Sequence, residues 1–423
     1  MELRTLIMRA REEDFPSFLS GAITLTLGLY IFTIPFPYKT ALQEICFYSS
    51  LALLALLHGV RKKSISLETP LTGPFFAFAA WIFVTLFFSI DKRNSFHDYF
   101  AYLWKDMALF FLVYNTFDTR KHFILLTWLL IVSAGLLSLG GILYFYWILK
   151  MPFEMRIGLP EVGLGVNYIG YVTVLAIFFS AIHFMHVQST LGTWVSWLCV
   201  TGASLATLLT QTKGTFLGFI PLLAVLFEKK RVLVAVLVVV GLLSLVLPVR
   251  RLFTTAPEVS RHLRMGRVAI WHNYIQMIND RPWVGIGFGM QTYRKELINP
   301  DFEINPSHKE VFAPHNTFMD VAVRCGIPGL VLFLYILAVF YRAGLGIMRN
   351  SRNLFLKQWA LCLTAVVTSF LIQGFFTDML LGIQAKYFFI LLAMMSILWK
   401  WQSDVPDESN AVKANPALPV SQI

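Results

Sequence analysis

One short stretch joins a histidine to the start of a long apolar run: residues 314–317 read Pro-His-Asn-Thr. An imidazole such as that of His315 can take the proton of an attacking hydroxyl group, whose own pKa lies far above 7. Asn316 is then a candidate to orient the histidine or a substrate. Pro and Asn are also typical of a helix start, so these residues equally fit a helix cap beside a structural histidine.

Several cations lie in polar segments upstream of this histidine. Guanidinium groups bind phosphate oxygens in a bidentate manner, so cations that converge from separate loops predict a diphosphate site. The candidates are Arg156, with Asn167 shortly after it, Lys213 in the stretch Gln-Thr-Lys-Gly, Arg264 and Arg267. Lys213 has a second interpretation, because a lysine near a membrane can extend its ammonium group to the water interface.

The sequence predicts neither a metal ion nor a cofactor. The acidic residues of the loops that the charge pattern places outside form no Asp-x-Asp motif and no tight cluster, which is what a divalent cation would require. The Gly-x-Gly-x-Gly of residues 285–289 lacks the spacing of a dinucleotide-binding fingerprint. The cysteines lie in apolar stretches without a Cys-x-x-Cys pair, so no zinc site or disulfide is expected. They are Cys46, Cys199, Cys325 and Cys362.

The elements that must position these residues are membrane helices. Hydrophobic residues make up 57% of the 423 residues and charged residues only 14%, whereas a soluble domain carries about 25% charged residues. The mean hydropathy is +0.65. A transmembrane helix needs about 20 apolar residues, so the composition suffices for about a dozen helices and leaves no room for a large soluble domain.

The apolar runs predict an all-α polytopic membrane protein with about 12 transmembrane helices in a single domain, residues 1–401. The polar tail, residues 402–423, is expected to be disordered. The runs are 17–34, 40–60, 70–90, 99–117, 122–149, 162–185, 190–209, 214–228, 231–248, 314–341, 355–377 and 383–401.

The charge pattern predicts the orientation of these helices. The net charge is +11, and most Lys and Arg of the short loops fall in alternate segments, which are therefore expected to be cytoplasmic. Both termini are then inside. The chain has charges up to Asp14 and no small-residue cleavage site after the first apolar run, which indicates an uncleaved first span. Membrane anchoring accounts for the charge, and no nucleic-acid-binding module is present.

Residues 249–313 form a polar insert that the topology places outside, although it is rich in Lys and Arg. The stretch 259–280 predicts an amphipathic helix, ended by Asp-Arg-Pro at 280–282 and followed by a glycine-rich turn. Its apolar stripe is expected to be Val268, Trp271, Ile275 and Ile278. The helix fits two roles, a cradle for a polyanion or a helix that rests on the membrane surface.

Together these residues resemble the O-antigen ligase and polymerase superfamily of bacterial envelope glycosyltransferases. GRVAIWHNYIQMINDRPWVGIGFG (266–289) is similar to the superfamily's Arg-x3-Trp helix with the following Pro-x2-Gly-x-Gly. APHNTFMDVAVRCGIPGLVLFL (313–334) is similar to its His-Asn motif with the following Gly-x-Pro-Gly. The chain departs from the superfamily at 212–214, where Thr-Lys-Gly stands in place of a Ser-Arg-Gly type of motif.

The resemblance implies a GT-C-like membrane fold in which the insert is a periplasmic catalytic loop. It implies a metal-independent, inverting glycosyl transfer at the periplasmic face of the bacterial inner membrane. The donor would be a polysaccharide linked to undecaprenyl diphosphate, and for a ligase the acceptor is a hydroxyl of the lipid A–core oligosaccharide. His315 would be the general base with Asn316 beside it. The diphosphate would be bound by Arg156, Lys213, Arg264 and Arg267.

Other functions remain open at this point. An O-antigen polymerase shares the donor and the motifs but usually has two comparable outer loops, and a protein O-oligosaccharyltransferase usually has a longer soluble C-terminal part. A transporter of lipid-linked sugars would place charges deep within the membrane and show repeated halves. Asp378 and Lys386, which flank the last outer loop, are expected to form an ordinary interfacial pair.

Overall fold

The computed structural model describes most of the predicted membrane domain and part of the insert. The described residues are 2–36, 40–62, 64–158, 165–186, 189–226, 267–290, 292–293, 304–305, 310–311 and 314–403. Arg264, the predicted ninth span (231–248) and residues 404–423 of the tail lie outside them. Gln402 and Ser403, which were expected to open the disordered tail, continue the last helix.

The described chain is almost entirely helical, as expected where lipid offers no partners for backbone N–H and C=O groups. The helices in chain order are α1 (Glu2–Thr33), α2 (Thr40–Arg61), α3 (Thr72–Leu86), α4 (Lys92–Asp98), α5 (Lys105–Thr116), α6 (Arg120–Ile142), α7 (Val166–His186), α8 (Thr190–Thr210), α9 (Lys213–Gly218), α10 (Leu222–Leu226), α11 (Arg267–Asp280), α12 (Thr317–Asn350), α13 (Leu354–Gly374) and α14 (Ile383–Ser403). Two π-helical turns, Tyr99–Trp104 and Leu143–Ile148, adjoin α5 and α6. One short antiparallel ladder pairs β1 (Ile304–Asn305) with β2 (Glu310–Val311).

Within the described residues, eight helices are long and apolar enough to cross a membrane. They are Phe15–Thr33, Thr40–Arg61, Arg120–Ile148, Val166–Met185, Thr190–Thr210, Thr317–Asn350, Leu354–Gly374 and Ile383–Ser403. The multi-pass architecture is therefore confirmed, whereas the count of twelve stays a prediction. Two predicted spans are shorter than expected: α3 has 15 residues, and the run 214–228 is broken between α9 and α10. Pro221 lies in that break, where it supplies no N–H to continue a helix.

The loops separate into two groups, one at each end of the helix bundle. At one end, Ile90 N–H donates to Ile286 O over 3.0 Å and Ile157 N–H donates to Leu209 O over 2.9 Å. At the other end, the indole N–H of Trp401 donates to Asp118 O over 2.7 Å. These groups are the loops predicted to lie outside and inside, respectively. The alternation of the helices thus agrees with the charge pattern, and which end faces the periplasm stays a prediction.

The interior of the bundle is closely packed, and small residues let helices approach each other. A Cβ added at Gly135 of α6 would lie 2.5 Å from the Cys199 sulfur of α8, and one at Gly170 of α7 would lie 2.1 Å from the Thr215 hydroxyl. The last helix, α14, is buried along most of its length. This rigid packing fixes the ends of the helices that carry the polar residues described next.

Candidate functional site

His315 lies in the turn that leads into α12, with its backbone in the left-handed region at φ 48°. That conformation is uncommon for a residue other than Gly and costs on the order of 1–3 kcal/mol. On one side of the histidine, the Pro314 carbonyl accepts a 3.0 Å hydrogen bond from the indole N–H of Trp271. Trp271 belongs to α11, one turn after Arg267, the first residue of that helix. The two motifs found in the sequence are therefore in direct contact.

Asn316 is the N-cap of α12. Its side-chain oxygen accepts hydrogen bonds from the N–H groups of Phe318 (3.0 Å) and Met319 (3.1 Å). This is the structural role that the sequence allowed for it. Since the side-chain oxygen is used for the cap, nothing in the geometry supports a separate catalytic role for Asn316, which stays a prediction.

Asp378, in the loop between α13 and α14, holds the other side of the histidine turn. Its carboxylate interacts with the backbone N–H of Asn316. Burial and the nearby charge of Asp320 raise the pKa of Asp378 to about 7, while Arg324 and the Asn316 amide act in the opposite direction. Asp378 was expected to pair with Lys386, which is wrong: the Lys386 ammonium lies 5.6 Å from the centre of the Tyr30 ring.

A buried polar network beneath this turn was missed in the sequence. Arg324 Nε lies 2.8 Å from Asp320 Oδ1, one helical turn away on α12. The Tyr293 hydroxyl donates to the same carboxylate, and the Arg324 guanidinium lies 4.2 Å from the centre of the Tyr293 ring. The i, i+4 spacing of Asp320 and Arg324 alone could have predicted that they form an ion pair. The burial of this pair could not be predicted, because it depends on residues distant in the sequence.

The glycine-rich loop, residues 285–289, packs closely against helix α12 where that helix bends at Gly326. Gly326 has φ 72°, and a Cβ there would lie 2.0 Å from the Trp283 carbonyl oxygen. Gly285 has φ 67°, and a Cβ added there would lie 2.5 Å from the Val323 carbonyl oxygen. Ile286 N–H completes the contact by donating to Val323 O over 2.8 Å. Both positions require glycine because two backbones touch there.

The buried face of the amphipathic helix agrees only in part with the predicted stripe. The described part begins at Arg267, and its buried apolar residues are Ile270, Tyr274 and Met277. Ile275 of the predicted stripe is 49% exposed. Ile278 of that stripe is half-buried and packs with these residues against Tyr293, Ile286 and Val323 of the site itself. The side chain of Arg267 lies outside the described part of the chain.

Two of the predicted phosphate-binding cations lie close together. Arg156 donates from Nε to Thr210 O (2.8 Å) and from Nη2 to the Thr212 hydroxyl (2.9 Å). Lys213 is the next residue and is exposed at the start of α9. The structure therefore places both cations at the same end of the bundle as the histidine turn.

A cavity of about 460 Å³ opens beside Arg156. Its described lining residues are Arg156, Gly165, Val166, Asn167, Tyr168, Met290, Thr377, Leu381, Gly382, Ile383 and Gln384. The first residues of α7 and of α14 are among them, so two helix N-termini with partial positive charge face one cavity together with a guanidinium. Thr377 also accepts a hydrogen bond at its carbonyl from the Thr317 hydroxyl (2.9 Å), which joins the cavity wall to the start of α12.

The arrangement suits an anion in the cavity, whose wall at Thr377 is joined to Thr317, two residues after His315. Among the described residues, no three His, Cys, Asp or Glu side chains are grouped in a way that could hold a metal ion. Among the described residues that line the cavity, the positive groups are Arg156 and the two helix N-termini. Lys213 lies close by, next to the Thr212 hydroxyl that Arg156 binds. Arg264 and the Arg267 side chain, also predicted to bind diphosphate, are not placed by the described residues.

Residues 195–334 match the family model described as O-Antigen ligase. The matched segment includes Lys213, Arg267 and His315, and it ends before Asp378. This confirms the resemblance to the O-antigen ligase superfamily and supports a function of the O-antigen ligase or polymerase type. No curated protein matches the chain.

Proposed function

We propose that the protein is an O-antigen ligase of the bacterial inner membrane. It transfers O-antigen polysaccharide from undecaprenyl diphosphate to a sugar hydroxyl of lipid A–core at the periplasmic face, which completes lipopolysaccharide. The observation that carries this proposal is the juxtaposition of two features. A histidine turn, held by Trp271 and Asp378, lies next to a cavity that Arg156 and two helix N-termini make positive.

The reaction follows from these groups. The imidazole of His315 takes the proton of the acceptor hydroxyl, and the oxygen attacks the anomeric carbon of the donor sugar. The bond from that carbon to the diphosphate oxygen breaks, and undecaprenyl diphosphate leaves with the electron pair. Attack on the face opposite the leaving group inverts the anomeric centre. Arg156, Lys213, Arg264 and Arg267 stabilise the negative charge that develops on the diphosphate, so the transfer needs no metal ion.

The position of the site suits a donor that stays in the lipid bilayer. The cavity opens at the outer ends of α7 and α14, where an undecaprenyl chain would lie in the membrane while its diphosphate enters the cavity. The glycan then extends into the periplasm, where lipid A–core presents its hydroxyl groups. Helix α11, which contacts the histidine turn through Trp271, lies at the same end of the bundle.

The test is a transfer assay with purified protein, a lipid-linked glycan and two acceptors. We expect glycan on lipid A–core and no change of rate when metal ions are removed with a chelator. Lengthening of the donor-linked glycan would show a polymerase, and transfer to a protein hydroxyl would show an O-oligosaccharyltransferase. Movement of the donor across a proteoliposome membrane without any new covalent product would show a transporter.

A further inference from the structure

The glycine-rich loop packs against α4 and the loop between α3 and α4, about 190 residues earlier in the sequence. The Ser89 hydroxyl lies 3.3 Å from the carbonyl oxygen of Ile286, and Ile90 N–H donates to the same carbonyl over 3.0 Å. A Cβ added at Gly287 would lie 2.0 Å from the Ser89 oxygen. The glycine-rich loop is thus seated on residues of the N-terminal half, outside the segment 195–334.

A single peptide group at the end of this loop is held from both sides by buried charges. The N–H of Met290 donates to Asp98 Oδ2 over 2.7 Å. The carbonyl oxygen of Gly289, the other half of the same peptide group, accepts a hydrogen bond from Arg324 Nη1. Asp98 is 4% exposed and Arg324 is 5% exposed. Hydrogen bonds to charged groups are about twice as strong as neutral ones, and low local dielectric strengthens them further.

Asp98 is itself fixed in place. Its carboxylate accepts from Asn94 Nδ2 over 3.1 Å, and its other oxygen lies 2.8 Å from Nδ1 of His97. A Cβ at Gly289 would lie 2.4 Å from Asn94 Oδ1, so the loop approaches this cluster as closely as its glycine allows. On the opposite side, Arg324 is held by Asp320. The peptide group therefore lies between two anchored charges, one from each half of the chain.

The residue after the held carbonyl is Met290, which lines the cavity beside Arg156. The Met290 methyl carbon lies 3.9 Å from the Cβ position of Gly382, in the loop that forms another part of the lining. The hydrogen bond to Asp98 starts at the backbone nitrogen of Met290 itself. The position of Met290 in the cavity wall is therefore set by the two hydrogen bonds to the Gly289–Met290 peptide group.

We propose that Asp98 and Arg324 are positioning residues that clamp the Gly289–Met290 peptide and thereby fix one wall of the donor cavity. The clamp is a feature of this fold, whereas the identity of the occupant, a lipid-linked diphosphate, rests on the proposed function. Neither residue touches the reacting atoms. A loosened clamp displaces the wall that contacts the bound donor while it leaves His315 in place, so the donor KM rises and kcat changes little.

The first experiment compares three single variants of the full-length protein in the transfer assay. Asp98→Ala removes the acceptor of the Met290 N–H, and we expect the donor KM to rise on the order of tenfold with kcat within about twofold. Asp98→Asn keeps an acceptor oxygen and is expected to restore most of the donor affinity. Asp91→Ala is the matched control: it removes the N-cap of α4 in the same loop and leaves the clamp intact.

Three outcomes of this assay would overturn the proposal. The first is an unchanged donor KM in Asp98→Ala. The second is an equal rise in Asp91→Ala, which would show that general loss of helix α4 accounts for the effect. A rise in the KM of the acceptor alone would also contradict a role at the donor wall.

A second measurement does not depend on the reaction. Met290→Cys carries a spin label, and the four native cysteines are buried and therefore protected from labelling. The label is expected to be immobile in the parent and to become mobile when Asp98→Ala is added, with Asp98→Asn in between. Equal label mobility in all three proteins would overturn the clamp. If mobility changes as expected but the parent protein transfers no glycan, the proposed function fails and the clamp stands.

Discussion

At the scale of single residues, the backbone of His315, the proposed general base, adopts a left-handed conformation. A left-handed conformation at a residue other than Gly costs energy, and it persists here because Trp271 and Asp378 hold the peptide groups on either side. The backbone of the turn thus sets the direction in which the imidazole leaves the chain. The chemistry of His315 can therefore be separated from the shape of its backbone.

Replacement of His315 tests that separation. Asn accepts left-handed φ values readily, so His315→Asn should insert and fold as the parent does while glycan transfer is lost. His315→Ala is expected to lose transfer as well, with some additional loss of stability from backbone strain. The measurement is the polysaccharide ladder on lipid A–core in cells that carry each variant, with protein amount checked in the membrane fraction. A normal ladder in His315→Asn would exclude the general-base role.

Asp378 gives a prediction on pH. Its pKa is raised from 3.8 to about 7 in the folded protein, so the folded state binds the proton more tightly than the unfolded state. The stability that this proton contributes is full below about pH 4 and is lost as the pH rises to 7. Asp378→Asn imitates the protonated carboxyl group, so its melting temperature should exceed that of the parent by an amount that grows between pH 4 and pH 8. Thermal unfolding in detergent at several pH values measures this difference, and a gap that stays constant with pH would contradict it.

Residue chemistry was only partly predictable from the sequence. His315 and the cap at Asn316 follow from local patterns, because a cap is set within four residues. Asp98 and Asp378 gave no local signal, because their partners Met290 and Asn316 are distant in the chain. A carboxylate acquires such a role only when folding buries it beside those partners.

At the scale of elements, α11 connects the two motifs through one hydrogen bond, from Trp271 to Pro314. The sequence predicted the end of this helix at Asp280 correctly. Its buried face was predicted only in part, since Ile278 packs against the site and Ile275 is exposed. Apolar periodicity alone cannot tell whether a stripe faces lipid or another part of the protein. The helix lies over the site, and its tryptophan is only partly buried.

The hydrogen bond from Trp271 can be removed without loss of the ring. Trp271→Phe keeps an aromatic side chain against the turn but lacks the indole N–H. We expect kcat to fall up to about tenfold, since a single neutral hydrogen bond contributes about 0.5–1.5 kcal/mol, while the melting temperature changes little. Trp283→Phe is the matched control, because Trp283 is 71% exposed and contacts Gly326 through its backbone. Equal activity of the two variants would show that α11 does not position the histidine turn.

At the scale of the whole molecule, the order of the helices places residues from distant parts of the sequence at one end of the bundle. Arg156, Lys213, His315 and Asp378 follow different helices, yet all lie at the end that the charge pattern predicts to be outside. The alternation of apolar runs predicted this gathering, because every second connection must return to the same side. The close contacts of Gly285 and Gly326 and the clamp on the Gly289–Met290 peptide could not be predicted from the apolar runs. They depend on how closely particular helices and loops pack.

Accessibility from each side of the membrane tests this arrangement. Helix α6 with its π-helical turn, Arg120–Ile148, has 29 residues, which at 1.5 Å per residue exceeds the thickness of about 30 Å of a bilayer core. Glu154 follows it and Lys121 lies at its start, and both are exposed. A thiol reagent that does not cross membranes should label Glu154→Cys in spheroplasts and Lys121→Cys only in inverted vesicles. The reverse pattern would place the site in the cytoplasm, away from any periplasmic acceptor. Labelling of both positions from the same side would show that α6 does not span, and the gathering of cations at one end would lose its basis.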